Sequence, residues 1–474
     1  MSIHCASEAA RLARKQLYIG GRWRDAATVF GVQDPATGVT IAEVADGETV
    51  DALDALDALD ALEAAVAAQP VFGSTAPRQR AEWLRAAFEA VTARSEDLAA
   101  IITAATGKPL TQARGEVVYG AEFLRWFAEQ AARVRGGYGL APDGRSRNVT
   151  ARRAVGPSLL VTPWNFPLAM LTRKLGAALA AGCTTIIKPA AQTPLTATLL
   201  AEILHEIGLP ARVVNVVPTT RDAPLSQVLM ADARLRKVSF TGSTAAGSTL
   251  IRQSAEHVQR TSMELGGNGP FLVFDDADID AAVGGAMVAK FRNGGQSCVA
   301  ANRFLLHRRI ADEFTENFVS AVRELRLGGG FDPAATIGPL IVARQRDKVA
   351  DLVEDAIANG AKVHAGGRAM PGEGYFYEPT VLTDVSLTAR IGPRRSSAPW
   401  PRYRSSTAKM KKSAPPTTSP KVSRPSCTPA TCVSVRRWKP EWSASTPKSS
   451  LRPAPLRWDQ GIGSWPRRGR DRNR

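Results

Sequence analysis

A cysteine lies in the string Phe291-Arg-Asn-Gly-Gly-Gln-Ser-Cys298-Val-Ala-Ala-Asn-Arg303, downstream of Met263-Glu264-Leu-Gly-Gly-Asn268. Thiolates attack carbonyl carbon, and a nearby carboxylate can act as general base on the thiol or on water. A lone cysteine is more often a small buried hydrophobe, so its neighbours must carry the chemical argument. Glycines flank both candidates, which leaves room for a substrate to approach.

Other residues fit the same chemistry. Asn165, in Thr162-Pro-Trp164-Asn-Phe-Pro167, sits between two prolines. An amide held there can donate to a developing oxyanion, although turns use asparagine for plainer reasons. Phe240-Thr-Gly242-Ser243-Thr-Ala-Ala-Gly247 reads as strand end, glycine turn and helix start. Backbone N–H groups at such a helix start suit a pyrophosphate, but an ordinary β–α turn has the same look. Lys188 closes a strand and can reach a ribose hydroxyl or phosphate, or simply stay in solvent. Arg173 and Arg292 are forks suited to a carboxylate, or to surface ion pairs.

These residues need a scaffold, and the chain changes rhythm around them. Tyr18-Ile-Gly-Gly-Arg-Trp23 reads as strand and tight turn, and Asp34-Pro-Ala-Thr-Gly38 as a second turn. Helical patterns cover 77–105 and 115–135, with the triplet repeat Asp51-Ala-Leu-Asp-Ala-Leu-Asp-Ala-Leu-Asp-Ala-Leu62 before them. A period of three drifts around a 3.6-residue helix, which predicts a mostly exposed helix for the repeat. Gly136-Gly-Tyr-Gly139 marks a loop. From Val155 short apolar strands alternate with helices: strands at 158–162, 184–188, 213–217 and 235–240, helices over 171–181, 194–207 and from Ala245. This alternation predicts an α/β fold with a doubly wound parallel sheet, whose ligands bind beyond the strands' carboxyl ends. A second α/β unit follows, with helices over 310–325 and 342–359, a loop at Gly328-Gly-Gly-Phe-Asp-Pro333 and a strand at 361–365.

Charge and cysteine usage exclude several classes. Of 61 basic and 44 acidic residues, 21 and 3 fall in 388–474, leaving 40 and 41 in the rest. The net charge of +17 therefore belongs to the tail, and a nucleic-acid role for the body does not follow. The tail also holds 13 of the 31 prolines and no sustained apolar period, a composition that resists folding. Five scattered cysteines suit a reducing compartment rather than a disulfide framework. The five histidines show no metal-ligand spacing, and no apolar run reaches membrane-spanning length. The expectation is a cytoplasmic enzyme with no metal, no membrane and no nucleic-acid partner.

Taken together, the chain from about Leu17 to Asp384 resembles the aldehyde dehydrogenase superfamily, of succinate-semialdehyde dehydrogenase type. The resemblance rests on ordered motifs: 162–167, Thr172-Arg-Lys-Leu-Gly-Ala-Ala-Leu-Ala-Ala-Gly-Cys183, 188–194, 240–247, 264–268, 290–303, Ile337-Gly-Pro-Leu340 and Tyr377-Glu-Pro-Thr-Val-Leu382. It implies Cys298 as nucleophile, Glu264 as general base, Asn165 with the Cys298 backbone N–H as oxyanion hole, and Lys174 as an aid to proton movement. It implies a cofactor site from Thr162, Trp164, Lys188, Ala191, Gly242, Ser243, Gly247 and Leu265, and a substrate carboxylate held by Arg173 and Arg292. The substrate is then a small aldehyde, succinate semialdehyde, and the assembly a homo-oligomer. NAD-preferring relatives often carry Glu where this chain has Ala191. Its absence removes repulsion of a 2′-phosphate and leaves Lys188 free to pair with it, so NADP is expected to be preferred and NAD tolerated. The implied domains are an N-terminal extension (1–16), a dinucleotide-binding domain (17–262, with an oligomerisation hairpin near 136–153), an incomplete catalytic domain (263–387) and the basic tail (388–474), expected without regular structure.

The resemblance breaks after about residue 390. The motifs Glu-x-Phe-Gly-Pro, Gly-Ile-Asn-Thr and Pro-Phe-Gly-Gly-x-Lys are missing, and the chain reads Arg394-Arg-Ser-Ser-Ala-Pro-Trp-Pro-Arg-Tyr403. Encoded as CGA-AGA-TCT-TCG-GCC-CCG-TGG-CCC-CGA-TAT and read from the third base, that stretch gives Lys-Ile-Phe-Gly-Pro-Val-Ala-Pro-Ile. Arg437-Trp-Lys-Pro-Glu-Trp-Ser-Ala-Ser-Thr-Pro447 yields Val-Glu-Thr-Gly-Met-Val-Gly-Ile-Asn-Thr in the same way, and 458–469 yields a related string in the other shifted frame. The hypothesis is a frameshift near Arg390 and a second one later. The DNA sequence tests it, because a gene whose shifted frames encode none of these motifs removes the idea.

Overall fold

The computed structural model describes residues 5–47, 56–391 and 432–438. A short helix α1 (Ala6–Ala10) leads into two hairpins, β1 (Leu17–Ile19) with β2 (Arg22–Arg24), and β3 (Val29–Gln33) with β4 (Thr40–Ala45). The Asp34 turn closes the second hairpin: the Asp34 carbonyl accepts from Gly38 N–H at 2.7 Å. Four helices follow: α2 (Leu56–Ser74), α3 (Pro77–Ala93), α4 (Ser95–Thr106) and α5 (Leu110–Ala131). The single helical stretch expected over 77–105 is thus two helices, hinged at Arg94 with φ −99° and ψ 27°. Within the triplet repeat, Ala58, Ala61 and Leu62 are fully buried against the first sheet. The expected mostly exposed helix is corrected there: alanine and leucine between aspartates offer one apolar face, and the sheet takes it. Residues 51–55 lie outside the described part.

A hairpin of β5 (Gly137–Leu140) and β6 (Arg147–Thr150) precedes the alternating region, within the stretch where the resemblance implied a hairpin; of the Gly136-Gly-Tyr-Gly139 run, which suggested a loop, the residues from Gly137 on lie in β5. Then come β7 (Ser158–Val161), α6 (Pro167–Ala180), β8 (Thr185–Lys188), α7 (Pro194–Glu206), β9 (Val214–Val216), α8 (Asp222–Ala231), β10 (Lys237–Gly242), α9 (Thr244–Ser254) and β11 (Arg260–Leu265). These strands form a seven-stranded sheet in the order β11-β10-β7-β8-β9-β1-β2. Five adjacent strands, β11 to β9, are parallel, and β1 and β2 extend the other edge antiparallel.

Both faces are buried, as a doubly wound sheet requires. Leu160, Ile187, Val214 and Val216 point into the core that holds α3 to α7. Leu159, Val161, Ile186 and Val238 point the other way, against α2, α8 and α9. Neighbours in sequence thus serve opposite cores, following the strand period of two. Truncating Leu159, which is fully buried, to alanine is expected to cost about 2–5 kcal/mol.

The chain leaves this sheet after Leu265 and starts another. β12 (Gly269–Val273), α10 (Ile279–Phe291), β13 (Ala301–His307), α11 (Ala311–Arg323), α12 (Ala343–Ala358), β14 (Lys362–Ala365) and β15 (Thr380–Thr383) follow. Phe291, Phe304, Phe314 and Phe318 form the centre of its core. The last described strand, β16 (Cys432–Trp438), comes from the basic tail and lies between β13 and β15, parallel to both. That segment departs from a tail without regular structure; the remaining tail positions, 392–431 and 439–474, lie outside the described residues. Among the described residues no helix is long and apolar enough to cross a membrane.

Candidate active site

Strand register decides which residues share one edge. Val161 of β7 is level with Lys188 of β8 and Phe240 of β10, and Gly242 of β10 is level with Leu265 of β11. The residues that follow these strand ends, Thr162 to Asn165, Ala191 and Ser243, therefore gather at one carboxyl edge with Glu264, the next-to-last residue of β11. That is where an open α/β sheet receives its ligand.

The edge has features that fit a dinucleotide. Ser243 caps α9, its Oγ accepting from Ala246 N–H at 3.3 Å, so the other N–H groups of that first turn remain directed outward. A Cβ on Gly247 would come within 2.7 Å of the Leu265 side chain, so glycine lets α9 approach β11 closely. Lys188 is buried at the end of β8 and pairs with Asp222 at the start of α8. The expectation that Lys188 is free for a 2′-phosphate is corrected here, since a carboxylate already faces it.

The turn at 162–167 connects this edge to the cysteine loop. The Asn165 Nδ2 donates to the Gln296 carbonyl at 2.8 Å, two residues before Cys298. An amide nitrogen carries two hydrogens, so the second remains available to an oxyanion. The loop itself is a tight, left-handed turn: Asn293, Gly294 and Gly295 have φ of 58°, 60° and 73°. Asn293 tolerates this conformation because its side chain donates to the carbonyls of Asn165 (3.0 Å) and Gln296 (3.1 Å). Gln296 anchors the far side, its amide donating to Pro339 O at 3.3 Å and accepting from Ile341 N–H at 3.1 Å. Behind the loop, the fully buried Lys290 donates to Asn302 Oδ1 at 2.7 Å and joins its two stems.

Helix α6 carries the second group. Arg173 lies 3.9 Å from a Glu264 carboxylate oxygen and over the Phe123 ring at 5.7 Å. Lys174, one residue on, is buried and donates to Ser239 Oγ at 3.1 Å. Burial lowers its pKa to about 8, with Glu264 pulling the other way and Arg173 and Lys237 adding to the fall. Arg292 is exposed at the start of the cysteine loop, its guanidinium 5.8 Å from the Phe166 ring. Cys298 is exposed and free, and the Glu264 side chain is 52% exposed.

The pattern of the aldehyde dehydrogenase family matches residues 23–394. The chain belongs to the aldehyde dehydrogenase family. It is 55% identical over 327 residues to a succinate-semialdehyde dehydrogenase of Paenarthrobacter nicotinovorans, covering 69% of this chain and 73% of that one. A glutarate-semialdehyde dehydrogenase of Pseudomonas putida is 43% identical over 394 residues, covering 82% and 80%. The fold matches the crystal structure of an E. coli NADP-dependent enzyme with a TM-score of 0.80 at 37% identity, over 91% of this chain and 82% of that one. By lineage this is an NAD(P)-dependent aldehyde dehydrogenase of succinate-semialdehyde dehydrogenase type.

Sequence reasoning missed the aldehyde dehydrogenase residues that support the site from below. Lys108 and Glu116 form a buried ion pair at 2.7 Å beneath Asn165. A lysine and a glutamate eight apart look like surface charges, and nothing local signals their burial. Asn293 and Gln296 were within the cysteine string but carried no assigned part. Asp222, at the start of α8, also carried no assigned part.

Proposed function

We propose that this chain oxidises a short aldehyde bearing a distal carboxylate, with succinate semialdehyde as the first choice. The observation that carries the reading is the 2.8 Å hydrogen bond from Asn165 to the Gln296 carbonyl, which ties an oxyanion donor to the cysteine loop. The Cys298 thiolate attacks the aldehyde carbon and forms a thiohemiacetal. Asn165 and the Cys298 backbone N–H stabilise the developing oxygen anion. The nicotinamide cofactor supplies the hydride acceptor when bound, and the product on Cys298 is a thioester. Glu264 takes a proton from water, which attacks the thioester and releases the carboxylate and the thiol. Lys174, buried beside Glu264 with a pKa near 8, can relay that proton. Arg173 and Arg292 offer the two cationic forks for the distal carboxylate.

Thr162, Trp164, Lys188, Ala191, Gly242, Ser243, Gly247 and Leu265 hold the cofactor in this reading, and NADP is preferred. Asp222 is exposed and singly charged, so a dianionic 2′-phosphate displaces it from Lys188. The described E. coli relative is NADP dependent, which supports the choice. A higher kcat/KM with NAD would overturn it. The first sheet forms the dinucleotide-binding half and the second the catalytic half. The exposed Tyr138, Leu140 and Val149 of the β5–β6 hairpin suit contact with another copy, so light scattering that finds a strict monomer would remove that part. Free Cys5, Cys183 and Cys298 suit the cytoplasm.

The test is the rate of reduced nicotinamide formation with succinate semialdehyde, glutarate semialdehyde and butanal, beside Cys298→Ala. Equal kcat/KM for butanal and the two carboxylates would defeat the substrate reading. A second reading, a cofactor-binding remnant without turnover, is favoured by the exposure of Cys298 and Glu264. Cofactor binding with no Cys298-dependent turnover would establish it.

A further inference from the structure

The Lys108–Glu116 pair lies between α5 and the turn that holds Asn165. Both side chains are sealed from solvent, at 4% and 1% exposure. Removing two charges from water is costly, and an apolar pair of similar size would often be as stable or more so. What an apolar pair could not do is make the contacts seen here. The Lys108 Nζ donates to Glu116 Oε2 at 2.7 Å and to the Asn165 carbonyl at 2.8 Å, and its third side faces the Phe166 ring at 4.7 Å. Burial pushes the Lys108 pKa below the usual ammonium range, with Glu116 opposing the shift.

The other oxygen of Glu116 has its own task. Helix α6 starts at Pro167 after Phe166, whose side chain gives no cap. Its first free N–H groups, Leu168 and Ala169, both donate to Glu116 Oε1, at 3.0 and 3.3 Å. Glu116 thus caps α6 from a different helix, with a negative charge at the favourable end of the dipole. The Asn165 carbonyl accepts from Lys108 on one side and Asn293 on the other, so both its lone pairs are engaged and the peptide plane is fixed.

We propose that Lys108 and Glu116 are a positioning pair for the oxyanion donor: they lock the Asn165 peptide and the start of α6, so that the Asn165 amide points at the Cys298 loop. This rests on the reading of Asn165 as oxyanion donor and Cys298 as nucleophile. The pair touches neither substrate nor cofactor and acts through Asn165 alone.

Two reactions of the full chain separate positioning from general damage. In p-nitrophenyl acetate, the Cys298 thiolate forms a C–S bond to the acyl carbon, passes through an oxyanion and expels p-nitrophenolate. In iodoacetamide it forms a C–S bond at saturated carbon and expels iodide, with no oxyanion. Acylation is read from p-nitrophenolate release, and alkylation from the Cys298 peptide by mass spectrometry, so labelling at Cys5 does not interfere. Neither needs cofactor. Lys108→Met is expected to slow acylation by about 100-fold, the cost of a misplaced group, while leaving alkylation unchanged. Asn165→Ala is expected to do the same, and Lys108→Met/Asn165→Ala to be no slower than Asn165→Ala. Glu116→Gln keeps one oxygen to accept from the α6 N–H groups, and Lys108 Nζ still donates to the Asn165 carbonyl, so a smaller loss of acylation is expected.

The proposal is overturned by parental acylation in Lys108→Met, by acylation and alkylation falling together, or by multiplied losses in the double variant. Parental acylation in Asn165→Ala overturns the oxyanion reading instead, and a parent chain that is never acylated overturns the nucleophile reading; the pair has nothing to position in either case. If Lys108→Met does not fold, Glu116→Gln carries the same criteria. If neither folds, the pair is a folding element and the proposal falls.

Discussion

Beneath Asn165, Lys108, Glu116 and Asn293 are all at most 4% exposed and exchange hydrogen bonds with one another's elements. On the open side, Cys298 and Glu264 face solvent, Val299 is 80% exposed, and β11 presents Arg260, Thr261 and Ser262 outward. The floor of the site is built from helices and turns between residues 100 and 300, all of it matched by the family. The three motifs that the resemblance leads one to expect after residue 390 are absent from the sequence. Preorganised donors and an exposed nucleophile can coexist in one chain, because a floor needs only its own hydrogen bonds. Positioning by the floor is therefore expected to hold independently of what shields the open side from water.

The largest effect expected at the open side is from Cys298→Ala. It should lower both ester acylation and aldehyde oxidation by about 10⁴-fold or more, as loss of a nucleophile does. If turnover survives, the reactive group lies elsewhere and the contrast collapses. Next is Glu264→Gln, which should keep an acylation burst but slow thioester hydrolysis by roughly 10²–10⁴-fold. A burst that vanishes would move Glu264 from the water step to the attack.

The floor is probed by Lys174→Met through pH. Lys174 loses its proton near pH 8 in the folded chain and near its ordinary 10.5 when unfolded. Between those values the unfolded state binds more protons, so stability rises with pH. Below pH 8 the folded chain bears the full cost of the buried charge, on the order of 3 kcal/mol. Lys174→Met should therefore be more stable than the parent at neutral pH, with the gain fading as pH rises through 8 toward 10.5. Urea melts at both ends of that window decide it, and a gain independent of pH would show that packing, not charge, is responsible.

The smallest effect is expected at the cofactor edge. Asp222→Asn removes the carboxylate facing Lys188 and should raise the NADP-to-NAD ratio of kcat/KM severalfold, since the exposed Asp222 carboxylate is screened by solvent and competes only weakly with a phosphate for the buried Lys188. An unchanged ratio would mean Lys188 does not meet the 2′-phosphate.

Much of the site was legible because its parts lie in continuous strings. Cys298 and Arg292 share one string, Arg173 and Lys174 share one helix turn, and Glu264 lies at the end of a strand. Most of the alternating strands and helices between 158 and 254 were legible for a similar reason, since each apolar run is local, while α8 and β11 went unread. Less was legible where contacts cross the chain. The β1–β2 edge pairs with β9 almost two hundred residues away. The triplet repeat looked exposed until a sheet face was there to receive it. Lys188 looked free because its partner, Asp222, lies on another element.

By itself, the sequence determined the chemistry available: a thiol, a carboxylate, an amide and two guanidiniums in the order of one family, and a change of grammar near residue 390. Local residue type and spacing suffice for that, because reactivity belongs to groups and helix or strand periodicity to short windows. Only the tertiary structure decided which groups are held and which stand open. It put Lys108 and Glu116 under Asn165, set Asp222 against Lys188, and placed a tail strand between β13 and β15. Burial and hydrogen-bond partnership depend on segments far apart in sequence, and those exist only once the chain has packed.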